Sequence, residues 1–331
     1  MAAPDLDQLF HQLAELKVGV VGDLMLDTYW WGNVDRISPE APVPIVAISR
    51  KEQRIGGAGN VALNVLSLGA KINVISILGK DQDGEQLAGL LKENHIHATY
   101  LVHSEHRTTT NKTRIISRNQ QMMRLDAEMA TDLVKEDEER LLFAFENFLA
   151  AENPDVVILE DYNKGLLTEN VISRIISLCS KNNIITAVDP KQKNFFSFKG
   201  VDLFKPNFKE AREGLNLLND QADKNLLKDI HLLLKEKLHH RVSLITLSEK
   251  GIFYQEGDKA GLIPSNLHQV ADVSGAGDTV IAVASLVYAA TKDIELMARV
   301  ANIAGGLVCE EVGTVAIDKE KLKVKCQNLL G

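Results

Sequence analysis

The 331 residues predict an α/β fold, with a mainly parallel central sheet between helices and a small antiparallel β-lid. Three observations carry this expectation. Short apolar runs ending in Gly or a polar residue recur along the chain, and helical stretches separate most of them. Two segments rich in Pro, Thr and β-branched residues break that alternation and read as extended strands outside the main sheet.

In chain order, MAAPDLDQLFHQLAELK reads as an amphipathic, acidic helix with neither the basic segment nor the apolar core of a signal peptide. KVGVVGD follows as a buried strand that delivers Asp23 at its end. Residues 25–54 contain three prolines and alternate near Val43 to Ile48, which excludes a continuous helix. IGGAGNVALNVLSLGA (55–70) is a glycine turn entering a helix, and NVISILG (73–79) is the next strand. Residues 98–128 alternate over Lys112, Arg114, Ile116 and Arg118, and with 25–54 they form the lid of a single domain spanning 1–331. KEDEER (135–140) reads as the solvated face of a helix. DVVILED (155–161), NIITAVD (183–189), VDLFKPN (201–207) and VSLITLS (242–248) supply further strands. DVSGAGD (272–278) runs into a buried apolar helix, and 319–330 closes the chain as an amphipathic one. Ligands of open parallel sheets lie at the carboxyl ends of the strands, so Asp23, Asp161, Asp189, Asn207 and Ser248 should border one crevice.

Composition narrows the partners. A net charge of -8 argues against nucleic acid or an anionic membrane, and no apolar run is long enough to span a bilayer. Cys179, Cys309 and Cys326 are far apart without metal-ligand spacing, which suits reduced thiols in a cytoplasmic protein. A small polar substrate is the expectation.

In DVSGAGD, Gly275 and Gly277 permit a tight turn that bares the amides of a helix N-terminus toward an anion, and Asp278 could take a proton from an attacking hydroxyl. A turn merely capped by an aspartate fits the same stretch. Asn60 reads as a hydroxyl-binding amide, with helix capping as the alternative. A dinucleotide site fits poorly, because the first strand runs into GDLMLD and not into the glycine turn. Lys112, Arg114, Arg118 and Arg124 suggest a substrate that carries phosphate, or else a solvated sheet face, and Lys191 is a further candidate. Asn207 and Glu210 share a helical face and could order waters around nucleotide-bound Mg²⁺, although an N-cap with a box-like glutamate has the same spacing. TLSEKG (246–251) could border a nucleotide.

The GGAGN segment, the Asn207-x-x-Glu210 pair, TLSEKG and DVSGAGDT occur in the order and spacing of the ribokinase-like (PfkB) sugar kinases, which this chain resembles over nearly its whole length. Within that family VGDLMLDTYWWG, RISPEAPVPIV, SRNQQMMRLD, EDYNKGLLT and VDPK look closest to the D-glycero-β-D-manno-heptose-7-phosphate kinases of lipopolysaccharide core synthesis. Gly59 departs from the family's GGAANV form and should loosen the turn slightly. The resemblance implies a three-layer α/β/α sandwich and transfer of the ATP γ-phosphoryl to the anomeric C1 hydroxyl of heptose 7-phosphate. It casts Asp278 as base, with the amides of Gly275, Ala276 and Gly277 on the transferring group. Asp23, Gly57, Asn60, Asp161 and Lys191 fall on the sugar side, and Lys112 with Arg118 would receive the 7-phosphate. Asn207, Glu210, Thr246, Ser248, Gly251 and Asn302 fall on the ATP side, with Glu210 reaching Mg²⁺ through water. A monovalent cation is a further expectation. Asp272 is read as shaping the turn or ordering ions, and not as abstracting a proton. The resemblance also implies a homodimer through the lid, using its strand edges with Trp30 and Trp31, and a separate nucleotidyltransferase, since the chain carries no such domain. Another sugar or sugar-phosphate kinase of ribokinase or fructokinase type is the alternative, and a non-catalytic sugar- or nucleotide-binding regulator a remote one.

Overall fold

In a computed structural model, residues 4–118, 120–265 and 270–331 are described. Met1 to Ala3 of the opening segment and Asn119 of SRNQQMMRLD lie outside the described residues. The chain begins with α1 (Leu6–Glu15), β1 (Lys17–Gly22), β2 (Leu24–Ile37), β3 (Pro44–Gly57), α2 (Ala58–Ser67), β4 (Lys71–Gly79), α3 (Gln82–Glu93) and β5 (His97–Ser104). It continues with β6 (Thr110–Ser117), β7 (Gln120–Ala127), α4 (Lys135–Glu152), β8 (Val156–Glu160), α5 (Glu169–Lys181), β9 (Ile185–Asp189), β10 (Leu203–Phe204), α6 (Phe208–Gly214) and α7 (Lys224–Leu238). It ends with β11 (Val242–Thr246), β12 (Ile252–Glu256), β13 (Lys259–Ile263), α8 (Ala276–Thr291), α9 (Ile294–Cys309) and α10 (Lys319–Leu330). Asp5, Asp81, Thr168, Asp223, Asp293 and Asp318 cap α1, α3, α5, α7, α9 and α10 by accepting from first-turn amides, each worth about 1 kcal/mol.

The main sheet has the order β13-β12-β11-β10-β9-β8-β1-β4-β5. From β11 to β5 every neighbouring pair is parallel, while β12 and β13 add an antiparallel edge. Its strands are apolar on both faces because both are covered. Val18, Val20, Val156 and Ile158 pack into one core with residues of α1, α2, α8 and α9, whereas Val21, Val157 and Leu159 pack into a second with α4, α5 and α7. Side chains alternate across a strand, so successive residues of β1 and β8 feed opposite cores. Two helical layers around one sheet follow, as expected. Among the described residues, no helix is long and apolar enough to cross a membrane.

The smaller sheet has the order β3-β2-β6-β7. It corrects the expected lid in two respects. β2 and β6 run parallel and only the outer pairs are antiparallel, because the chain visits α2, β4, α3 and β5 between them. The stretch expected to be lid from residue 98 onward begins in the main sheet, where β5 pairs with β4. KEDEER also needs correction. Asp137 is buried and accepts from Ser104 and Arg140, so that helical turn is anchored to β5 and is not wholly a solvated face.

Candidate active site

Helix α8 is apolar nearly all round, and it is buried from Asp278 to Tyr288 against α2, α9 and the sheet. Its N-terminus is thereby fixed at the carboxyl ends of the strands. Gly275 caps it with φ of 78°, and a methyl there would stand 2.7 Å from Asn60 Nδ2, so the position requires glycine. Asp272 Oδ1 accepts from Ser274 N and Oδ2 from Gly313 N, which shapes the turn in front of it.

Asp278 is 5% exposed. Asn60 Nδ2 donates to its Oδ2 at 2.7 Å, and the Tyr162 hydroxyl donates to its Oδ1 at 2.6 Å. Burial pushes its carboxyl up to about 6, against the downward pull of those two hydrogen bonds. Asn60 does not cap α2, a place taken by Gly57 at φ 59°; its amide orients Asp278. Asn64 secures this arrangement by donating to the Asn60 carbonyl and accepting from Thr279 Oγ1 and Ile317 N.

Beside Asp278 lies a band of alternating charge. Asp189 Oδ2 pairs with Lys205 Nζ at 2.7 Å and its Oδ1 with Lys191 Nζ at 3.4 Å, and Lys191 also reaches Glu210 Oε1 at 3.0 Å. Burial pushes Asp189 up, but the two lysines outweigh it and hold its carboxyl below the usual range. Burial disfavours charge on Lys191, yet Asp189 and Glu210 hold its ammonium well above the ordinary value.

These groups open into a cleft of about 570 Å³. Asn207, Glu210, Thr246, Ser248, Gly251 and Asn302 line it together with Gly275, Ala276, Gly277 and Asp278. Ile252, Val270, Val273, Val280 and Cys309 provide an apolar wall suited to a nucleobase. Asn207 and Glu210 do form a reciprocal capping box, at 2.8 Å in each direction. That box uses Glu210 Oε2 and leaves Oε1 on the cleft side with Lys191, where one hard oxygen donor suits a water-bridged Mg²⁺.

Several residues expected at the sugar are used otherwise. Asp23 Oδ2 accepts from Tyr162 N and Lys164 N, and Asp161 accepts from Asn163 N and Lys191 N. Both carboxylates thus hold the loop that carries Tyr162, instead of lining the cleft. Burial raises both, Asp161 to about 6. Lys191 lines the cleft beside Glu210, on what was expected to be the ATP side.

The cations of the lid do not converge on one phosphate. Arg118, at φ 50° in the turn after β6, is largely exposed with Asp35 3.9 Å away, and it lies about 20 Å from Lys112 at the rise of an extended strand. Arg124 is engaged by Asp126, and Arg114 by Asp27 at 2.6 Å. Lys112 sits over the ring of Tyr162, whose hydroxyl bonds Asp278, at 5.6 Å. Three residues escaped the sequence reading. Tyr162 and Lys205 each lie just past a strand end, within EDYNKG and FKPN, and Asp27 is the second carboxylate of GDLMLD. Asp27 is 6% exposed and faces Gly56 so closely that a methyl there would overlap its Oδ2.

The profile of the pfkB family carbohydrate kinases matches residues 15–321. The chain belongs to that family. Among curated pfkB relatives, the bifunctional protein HldE of Sulfurimonas denitrificans is 40% identical over 309 residues, which is 93% of this chain and 63% of that protein. HldE of Aliarcobacter butzleri is 38% identical over 92% of this chain and 63% of its own. The chain therefore spans slightly under two thirds of these relatives. Among solved pfkB folds, the tetrameric inhibited form of phosphofructokinase-2 from Escherichia coli superposes with a TM-score of 0.77 at 17% identity, covering 94% of this chain and 99% of that one. Arabidopsis thaliana ribokinase complexed with ribose and ATP gives 0.72 at 18%, covering 93% and 99%. The family is one of carbohydrate kinases.

Proposed function

We propose that this kinase transfers the γ-phosphoryl of ATP to the anomeric C1 hydroxyl of D-glycero-β-D-manno-heptose 7-phosphate, giving the 1,7-bisphosphate. The observation that carries the chemistry is Asp278, a buried carboxylate oriented by Asn60 and Tyr162 at the N-terminus of α8, where the cleft begins. Each of its oxygens keeps a lone pair beyond the hydrogen bond it accepts. The sugar hydroxyl gives its proton to Asp278 as its oxygen bonds the γ-phosphorus and the bond to the β-phosphate oxygen breaks, releasing ADP. The amides of Gly275, Ala276 and Gly277 would receive the oxygens of the transferring group. Asn207, Glu210, Thr246, Ser248, Gly251 and Asn302 would border the nucleotide. Mg²⁺ bound with ATP offsets phosphate charge, and Glu210 would hold it through water.

The identity of the sugar rests on the lid and on the HldE relatives. RISPEAPVP occupies the end of β2, the turn and the start of β3, and Lys112 stands over Tyr162, where its ammonium would receive a substrate phosphate. Arg118 is left out of that role for the reason of distance given above. β7 is exposed along its whole length, with Met122, Met123 and Leu125 facing solvent, and we infer that the smaller sheets of two copies pair there. Three buried free cysteines and the use of ATP favour the cytoplasm. The deciding experiment is ADP release with heptose 7-phosphate beside ribose, fructose and fructose 6-phosphate. Preferred turnover of an unphosphorylated sugar would refute the assignment.

A further inference from the structure

Glu160, the last residue of β8, is fully buried, and neither of its carboxylate oxygens has a hydrogen-bond partner among the described residues. One of its oxygens lies with one oxygen each of Asp189 and Asp278, all three within 4.8 Å of one another. Lys191 and Lys205 face this group, but both are spent on Asp189, and Lys191 also on Glu210. Asp278 is occupied by Asn60 and Tyr162. Behind Glu160, Asp23 N donates to its carbonyl while the Asp23 carboxylate is turned to the 162–164 amides. Two ammonium groups thus meet the carboxylates of Glu160, Asp189, Asp278 and Glu210. Burial first, then Asp189 and Asp278, push the Glu160 carboxyl well above the ordinary range. A buried acid without a donor is far less costly neutral than charged. A divalent ion would be another way to neutralise the cluster, but the Lys191 and Lys205 ammonium groups already stand on Asp189 there and would repel it.

We propose that Glu160 is a protonated positioning residue for phosphoryl transfer, a neutral acid that packs behind Asp278 without adding charge where the base and the arriving phosphate are both negative. It neither gives nor takes a proton in the step. The inference rests on the reading of Asp278 as base, yet part of its test needs no substrate. In protein labelled with carbon-13 glutamate, the infrared carbonyl stretch of a protonated carboxyl should be present at neutral pH, show the isotope shift and vanish in Glu160→Gln. Absence of a glutamate-derived band overturns the proposal, and this measurement on the wild-type chain stands even if the variant does not fold. The second readout is the acid limb of kcat/KM, set by Asp278. Removing a neutral acid leaves that limb in place, whereas removing a charge would move it about one pH unit or more lower and would overturn the proposal. A failed sugar assignment would appear in the substrate panel and leave the infrared band untouched.

Discussion

A carboxylate serves as base toward a hydroxyl when it is ionised at the working pH yet still attracts a proton, and at Asp278 burial raises proton affinity while Tyr162 and Asn60 restrain it. Asp278→Asn is expected to lower kcat by about 10²- to 10⁴-fold with the fold retained, measured by ADP release and calorimetry. Tyr162→Phe removes a hydrogen bond that favours the ionised form. Asp278 should then rise further, and the acid limb of the pH–kcat/KM profile should move up by about 0.5 to 1 unit. A limb that stays in place would remove Tyr162 from the tuning of the base. At this scale the glycines and Asp278 were legible because turn and helix start share one short stretch. Tyr162 was not, since no spacing connects positions 162 and 278. The hold of Asp23 on the 162–164 loop was not legible, because a carboxylate at a strand end can turn either to a ligand or back to a loop amide.

Elements position these residues through packing that the chain's periodicities foretell. α2 presents Asn60 and Asn64 to α8, and Gly59 of its first turn fits only because Ile55 fills the space a side chain would take. A Cβ at Gly59 would stand 2.1 Å from Ile55 Cγ2, so the departure from the family's alanine is a glycine matched to Ile55. Gly59→Ala gains helix propensity of at most about 1 kcal/mol and loses about 1 to 3 by overpacking, so a net fall in denaturant midpoint is expected. Unchanged or raised stability would show that Ile55 moves aside at no cost. The Asn207-x-x-Glu210 motif carried two readings in the sequence, and the structure uses both carboxylate oxygens, one for the cap and one for Lys191.

At the scale of the molecule, two features respond to conditions. The exposed outer strand β7 predicts association. Met123→Lys with Leu125→Lys should convert a dimer to a monomer in light scattering, and a wild-type chain that is already monomeric at assay concentration would refute pairing through the lid. His231 Nδ1 and His240 Nε2 both bond Ser243 Oγ in the buried interior. Burial lowers their proton affinities, to about 4 and about 3. The unfolded chain takes up protons below the ordinary histidine value and the folded one resists, so this contribution to stability is complete above about 6.5 and is lost as pH falls toward 3. The melting temperature should decline through that window, and less steeply in His231→Leu. An equal decline in the variant would assign acid sensitivity to other groups.

The sequence by itself determined the layered architecture, the family and the glycine turn that borders the cleft, because apolar periodicity and glycine placement are local properties that a chain displays before it folds. Tertiary structure decided what each charged side chain does. Asp27 faces Arg114, Asp23 holds a loop, Lys191 bridges to Glu210, Arg118 stands apart, and Glu160 lies beneath the base. The reason is physical: the state and role of a charge depend on burial and on the partners within a few ångströms, and those partners come from strands and helices distant in the chain.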